Sequence, residues 1–319
     1  MTSVTTAARL AVTARVPAKV NLQLAVGPAR DDGYHDLVTV FHAVSLFDEV
    51  TVRPAGRTQV LVTGESAGLV PKGSTNLAAR AASALARATR GRRRGSSGVQ
   101  IEIRKRIPVA AGLAGGSADA AAALVACNEL WRTGLSQQQL CEIGAEVGSD
   151  VPFALVGGTA VGPGRGEHLT AALAAGTYHW VLAFSAAGLS TPQVYAACDR
   201  LREARAAVQG PAPRLSTALM AALRSGDPAA VGPLLANDLQ PAAISLLPDL
   251  RRALAAGREH GALGAIVSGS GPTCAFLAAD AGHARELAVS LTGAGVCRAV
   301  ARVSGPVPGA AVVPAGDHG

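Results

Sequence analysis

Lysine is scarce in this 319-residue chain: Lys19, Lys72 and Lys105 stand against 26 arginines. The bias accompanies abundant Ala and Gly, as in a GC-rich genome, so the net charge of +7 is largely compositional. Aromatic residues are 3% of the chain, so its cores must be built from Val, Leu, Ile and Ala. The cysteines (Cys127, Cys141, Cys198, Cys274 and Cys297) are odd in number, scattered and without a C-x-x-C pair. That argues against a disulfide framework and a zinc site. Residues 168–198 lack Asp, Glu, Lys and Arg, but Gly, Ser, Thr, Pro and two His break them into strand-and-turn pieces rather than a membrane span. Arg9 and Arg15 are not followed by an apolar run long enough for a signal peptide. A soluble cytoplasmic protein is expected. The run Arg92-Arg93-Arg94 has no aromatic platform or second basic stripe beside it, so it reads as a solvated loop and not a nucleic-acid site. No nucleic-acid, membrane or obligate protein partner is expected.

An apolar content of 49% and a length of 319 residues suit two domains of the usual ~100–200 residues. Strand and helix patterns alternate between a frayed tail at 1–10 and another at 304–319. "ARVPAKVNLQLAV" alternates as a half-buried strand does. "HAVSLFDEVTVRP" and "GVQIEIRKRIP" read as further strands, and "NLAARAASALARATR" as a helix with Asn76 as its cap. Ser136 caps a short helix in "SQQQLCEIGAEVG". After Gly166 come the strand "HWVLAFSA", a helix with Pro192 in its first turn, a linker at 207–215 and two helices from 215 to 257. "LGAIVSGSGPTCAFLA" is strand, glycine turn, strand, before a last helix and the strand "VCRAVARV". Adjacent hairpins mixed with helices indicate α+β. The expected domains are residues 12–170 and 171–310.

The sequence "PVAAGLAGGSADAAAALVACNELW", residues 108–131, places a glycine loop directly before a good helix. A helix N-terminus offers unpaired N–H groups and partial positive charge, and glycine lets backbone approach an anion closely. Ser117 can cap this helix or offer its hydroxyl to a phosphate or metal; Asp119 is a dipole partner or a magnesium contact. The loop lacks G-K-[ST], which excludes a Walker P-loop. Ala114 stands two residues after Gly112, so the G-x-G-x-x-G dinucleotide fingerprint is absent. A loop shaped only for tight packing remains the alternative.

Two further segments favour phosphate chemistry. "PAKVNL" puts Lys19 and Asn21 on one face of a strand, and a compact ammonium suits developing phosphoryl charge. "VGSDVPFAL" sets Asp150 before an apolar strand or turn, where a carboxylate can accept a hydroxyl proton or simply stabilise a turn. "DGYHDL" exposes Tyr34 and His35, both able to stack on a base.

The glycine loop, "PAKVNL" and "SGSGPTCAF" together resemble the three motifs of the GHMP kinase superfamily. The "DGYH" segment with "GSDVPF" resembles the branch of it whose alcohol substrate carries a cytidyl group. The likeness spans about residues 14–310. It implies an N-terminal domain like the second domain of ribosomal protein S5, a C-terminal ferredoxin-like domain and ATP in the cleft between them. It implies an enzyme that transfers phosphate from ATP, with magnesium, to a small-molecule alcohol. Lys19 and Asp150 match the catalytic pair, Asp150 as base. Pro108, Val109, Ala110, Ala111, Gly112, Leu113, Ala114, Gly115, Gly116, Ser117 and Ala118 match the ATP loop. Tyr34 and His35 match the cytidine-binding pair, with His35 stacked on cytosine, and Asn21 matches a substrate contact. Lys105 and Thr191 lie at positions that contact ligand in relatives. No residue is assigned as a dedicated metal ligand. Ala114 departs from the more usual glycine, which bears on the loop's φ angles. The rivals are another GHMP kinase, such as mevalonate or homoserine kinase, and a silent nucleotide- or RNA-binding protein that uses Arg92–Arg94.

Overall fold

The computed structural model describes residues 11–31, 33–91, 98–164, 169–204 and 212–314. Arg92–Arg94 lie outside the described residues. The chain opens on two long strands, β1 (Val12–Ala29) and β2 (His35–Ala55), paired antiparallel with register shifts at Pro17/Ala18, Asn21/Gln23 and Val26/Ala29. β3 (Gln59–Gly64), α1 (Leu77–Ala88), β4 (Gly98–Lys105), α2 (Gly115–Trp131), α3 (Gln137–Val147), α4 (Val151–Val156), β5 (Thr159–Gly164) and β6 (Thr170–Ala171) follow. The caps expected at Asn76 and Ser136 both form. Asn76 accepts from the N–H groups of Ala78 and Ala79, and Ser136 with Gln139 makes a full capping box. The segment after Asp150 is a short helix, not a strand or turn: Pro152 sits in its first turn, where its missing N–H removes no bond.

After β7 (Tyr178–Phe184) and α5 (Thr191–Ala204), residues 215–257 form more than the two helices expected. They hold α6 (Thr217–Ser225), α7 (Pro228–Val231), strand β8 (Ala236–Asn237), α8 (Gln240–Leu246) and the start of α9 (Asp249–Glu259). Pro228, Pro233, Pro241 and Pro248 punctuate the run, and each is incompatible with a continuous helix interior. β9 (Gly264–Val267), β10 (Cys274–Ala278), α10 (Ala281–Gly293), β11 (Ala299–Gly305) and β12 (Ala311–Val312) complete the chain.

Two sheets result. The larger runs β12–β1–β2–β4–β3, with β5 and β6 added beyond β2 and β8 beside β1. The smaller runs β11–β7–β10–β9, all antiparallel. Strand–helices–strand–strand–helix–strand in that order is the ferredoxin-like arrangement expected for the second half. Residues 304–314 of the expected tail are not frayed. β12 pairs with Ala14 and Arg15, and Gly157 bridges to Pro308, so the chain end crosses back to the larger sheet.

With few aromatics, alanine sets the packing. α2 buries Ala118, Ala120–Ala123 and Ala126 with Leu124 and Cys127, in one core with Val20, Leu22, Ile101, Ile103 and the α1 alanines. Small side chains let helix and sheet approach closely at interior density. In the second core Phe276 lies against Gly257, where an added Cβ would fall 2.1 Å from the ring.

Candidate active site

A cavity of about 320 Å³ lies where the two sheets' elements meet. Lys19 and Asn21 reach it from β1, Thr39 and Phe41 from β2, and Ala110–Gly112 and Ala114–Gly116 from the glycine loop and helix start. Ser149 and Asp150, Thr191 and Tyr195 of α5, and Gly269 and Ser270 of the β9–β10 turn complete it. Six segments far apart in sequence thus converge.

On β1 the alternation resolves into two buried faces rather than one. Val20 and Leu22 enter the core, while Lys19 is 6% and Asn21 2% exposed beside the cavity. Lys19 Nζ donates to Asn21 Oδ1 at 2.6 Å, and Asn21 Nδ2 donates to Thr39 Oγ1 at 2.8 Å. Thr39 spends its hydroxyl proton on the Gln23 carbonyl at 2.9 Å, so it must accept from Asn21. The Asn21 oxygen is thereby turned toward Lys19. Burial lowers the Lys19 pKa, and the Asp150 charge opposes that shift. Asp150 makes no side-chain capping bond to α4, which leaves its carboxylate to the cavity.

The loop owes its shape to left-handed residues. Ala110 (φ 52°), Gly112 (φ 74°) and Ala114 (φ 58°) all adopt positive φ. Ala114 therefore holds the conformation a glycine would hold more cheaply, by roughly 1–2 kcal/mol. Gly112 cannot be replaced in this way: a Cβ there would fall 2.1 Å from the Ser268 carbonyl oxygen. Ser268 Oγ also donates to the Gly112 carbonyl at 3.1 Å, locking loop to turn. Gly112→Ala is expected to destabilise the protein by about 3 kcal/mol, within the range for strain plus a core clash, read as a lowered denaturation midpoint at unchanged slope.

Other expected loop residues do not face the cavity. Leu113 and Ala118 are buried in the core, and Leu113 meets β1 through its carbonyl, which accepts from Lys19 N at 3.3 Å. Pro108 and Val109 line an adjoining cavity of about 330 Å³ with Glu65, Leu69 and Phe184. Ser117 does not cap α2, because the N-cap is Ala114 and Ser117 lies inside the first turn. A Cβ on Gly115 would point inward, 3.1 Å from both Ile107 Cγ2 and Lys105 Nζ. Lys105 is 2% exposed and gives its three protons to Asp48, Asp119 and the Gly115 carbonyl, so it lies behind the loop. Asp119, read as a dipole partner or magnesium contact, is buried on Lys105 instead.

A second cavity of about 630 Å³ shares Leu37, Ser149, Thr191 and Tyr195 with the first and adds Tyr34, His35, Pro192 and Asp199. Tyr34 is 56% exposed and His35 8%. His35 Nε2 lies 2.9 Å from Asp199 Oδ1, and its ring is 5.0 Å from that of Tyr195, tilted by 38°. The His35 ring is thus held in the wall of this cavity by Asp199 and Tyr195. Tyr195 and Asp199 escaped the sequence reading. Their signal is the i, i+4, i+8 spacing of Thr191, Tyr195 and Asp199 along α5, which sets all three on one helix face. Thr191 itself is tied to the glycine turn through Ser270 Oγ at 2.8 Å.

A buried ammonium, a cavity-facing carboxylate and a glycine loop at a helix start, held between these two sheets, define a small-molecule kinase of one family. The chain belongs to the GHMP kinases: the family's N terminal domain matches residues 76–158 and its C terminal domain residues 219–297. It is 58% identical over 306 residues to the 4-diphosphocytidyl-2-C-methyl-D-erythritol kinase of Mycolicibacterium smegmatis, covering 95% of this chain and 93% of that one. The kinase of that name from Thermobifida fusca is 56% identical, covering 95% and 98%. The crystal structure of a 4-(cytidine 5'-diphospho)-2C-methyl-D-erythritol kinase superposes with a TM-score of 0.73 at 35% identity, over 91% of this chain and 98% of that one. Homoserine kinase from Cytophaga hutchinsonii, at 19% identity and a TM-score of 0.71, shares the fold.

Proposed function

We propose that this chain transfers the γ-phosphate of ATP to the 2-hydroxyl of 4-diphosphocytidyl-2-C-methyl-D-erythritol, a step of non-mevalonate isoprenoid precursor biosynthesis. The observation that carries this reading is the junction of two cavities. One holds Lys19, Asp150 and the glycine loop; the other is walled by Tyr34 and Tyr195. A substrate that joins an alcohol to a nucleotide base occupies both. The two units divide near residue 170, and the setting is the cytoplasm. No obligate protein partner is required.

Asp150 accepts the proton as the substrate oxygen bonds to the γ-phosphorus and the bond to the departing ADP oxygen breaks. Lys19 faces the negative charge that grows during transfer, and Asn21 and Thr39 hold it in place. Phosphoryl transfer asks mainly for such positioning and electrostatic support. The loop backbone and the first turn of α2 hold the ATP phosphates, and the adjoining cavity at Pro108, Val109 and Leu69 takes the adenine. Magnesium fits as a companion of the nucleotide. The Ser117 hydroxyl in the first turn of α2 is a hard oxygen donor that would hold it, and a Cβ on Gly148 would lie 3.7 Å from that oxygen. No cluster of three His, Cys, Asp or Glu stands ready to hold a metal alone among the described residues. Bound there, the ion would neutralise phosphate charge.

Tyr34 and Tyr195 supply the stacking faces for cytosine, and Asp199 fixes the His35 ring so that its edge meets the base. A coupled ADP-release assay over several alcohols tests the assignment. The cytidyl substrate should turn over well, and mevalonate and homoserine should not. Comparable turnover of methylerythritol without the cytidyl group would remove the base site from the reading.

A further inference from the structure

Behind the glycine loop lies a charged cluster that no ligand can touch. Asp48 is 0%, Lys105 2% and Asp119 3% exposed. Lys105 Nζ meets Asp48 Oδ2 at 2.5 Å and Asp119 Oδ2 at 2.9 Å, and donates to the Gly115 carbonyl at 3.2 Å. Asp48 Oδ1 accepts the backbone N–H groups of Arg106 at 2.6 Å and Ile107 at 2.9 Å. Arg106 and Ile107 lead into the loop, and Gly115 is the first residue of α2, where the loop ends. One buried cluster thus grips both ends of the loop. The inward space at Gly115 is filled by the Lys105 ammonium, which explains why a side chain is absent there.

Buried ions are a poor way to gain stability, because well-packed apolar residues of similar volume often do as well or better. What ions add is direction: each bond here fixes a named backbone group. We infer that Asp48, Lys105 and Asp119 form a positioning clamp that sets the shape of the loop at 108–114, acting on ATP through the backbone without touching it. The inference rests on the reading of that loop as the ATP phosphate site.

Two carboxylates face one ammonium, and Asp119 Oδ1 is buried without a partner, so Lys105 is the group that fixes this carboxylate beneath the first turn of α2.

The test uses the full chain and ADP with magnesium as the probe, by titration calorimetry at constant pH. Melting curves confirm that each variant is folded. Asp119→Asn, which weakens the hold on Lys105, should lower the affinity for ADP roughly tenfold. Asp48→Asn should raise the KM for ATP at least about tenfold while the KM for the cytidyl substrate stays put, a split that general destabilisation does not produce. Wild-type ADP binding by a folded Asp48→Asn or Asp119→Asn would overturn the clamp. A wild type that binds no ADP overturns the reading of the loop, and the clamp with it.

Discussion

Asp150→Asn is expected to keep the fold and near-normal ATP binding while turnover falls ~10²-fold or more, the scale of general-base catalysis. The carboxylate lines the cavity that holds Lys19, and it makes no capping bond to α4. The amide is nearly isosteric and removes only the proton acceptor and its charge. With the ATP phosphates on the proposed loop site, ATP binding should survive. The charge loss has a second consequence. Asp150 opposes the burial that lowers the Lys19 pKa, so its removal should lower that pKa further. Any residual activity of the variant should then fade at a lower pH than in the wild type, as Lys19 loses its proton sooner. Rapid-quench single-turnover kinetics with a parallel ATP titration read both effects. A variant with near-wild-type turnover would take Asp150 out of the mechanism.

Tyr195→Ala should raise the KM for the cytidyl substrate by roughly ten- to a hundredfold and leave the KM for ATP nearly unchanged. Base–aromatic stacking is worth ~1–3 kcal/mol, and ~1.4 kcal/mol is a factor of ten. Tyr195 lines both cavities and stands 5.0 Å from His35, so it walls the place where the base would lie. The loss is one of ground-state binding, so kcat should fall less than kcat/KM. Tyr195→Phe should restore most of the affinity. Burial pushes the Tyr195 hydroxyl up to about 12, so it stays neutral across the working range and the effect should not depend on pH. His35→Ala should act in the same direction through the base edge. Equal losses of affinity for ATP and for the cytidyl substrate would mean that Tyr195 supports the fold and not the base.

The residue types proposed for this site were legible in the sequence; their geometry was not. A lysine kept among 26 arginines, a glycine loop before an alanine helix and the "DGYH" turn each carry their signal in a short stretch. Local patterns of that kind also gave the Asn76 and Ser136 caps and the strand–turn–strand at 264–278, because caps, turns and alternation are decided within a few residues. The short helix after Asp150 and the broken helices of 215–257 were misread, since proline spacing only weakly separates a boundary from a first turn.

By itself the sequence determined which groups this protein offers for the proposed phosphoryl transfer: an ammonium, a carboxylate, a glycine loop and aromatic side chains. Tertiary structure alone decided what each of them meets. It set Lys105 behind the glycine loop and onto Asp48, 57 residues earlier in the chain. It brought Tyr195 and Asp199 to His35, and it seated Gly112 on the carbonyl of Ser268, 156 residues away. Such pairings arise when sheets and helices bury their apolar faces together, and a buried polar group must then take whichever partner that packing supplies.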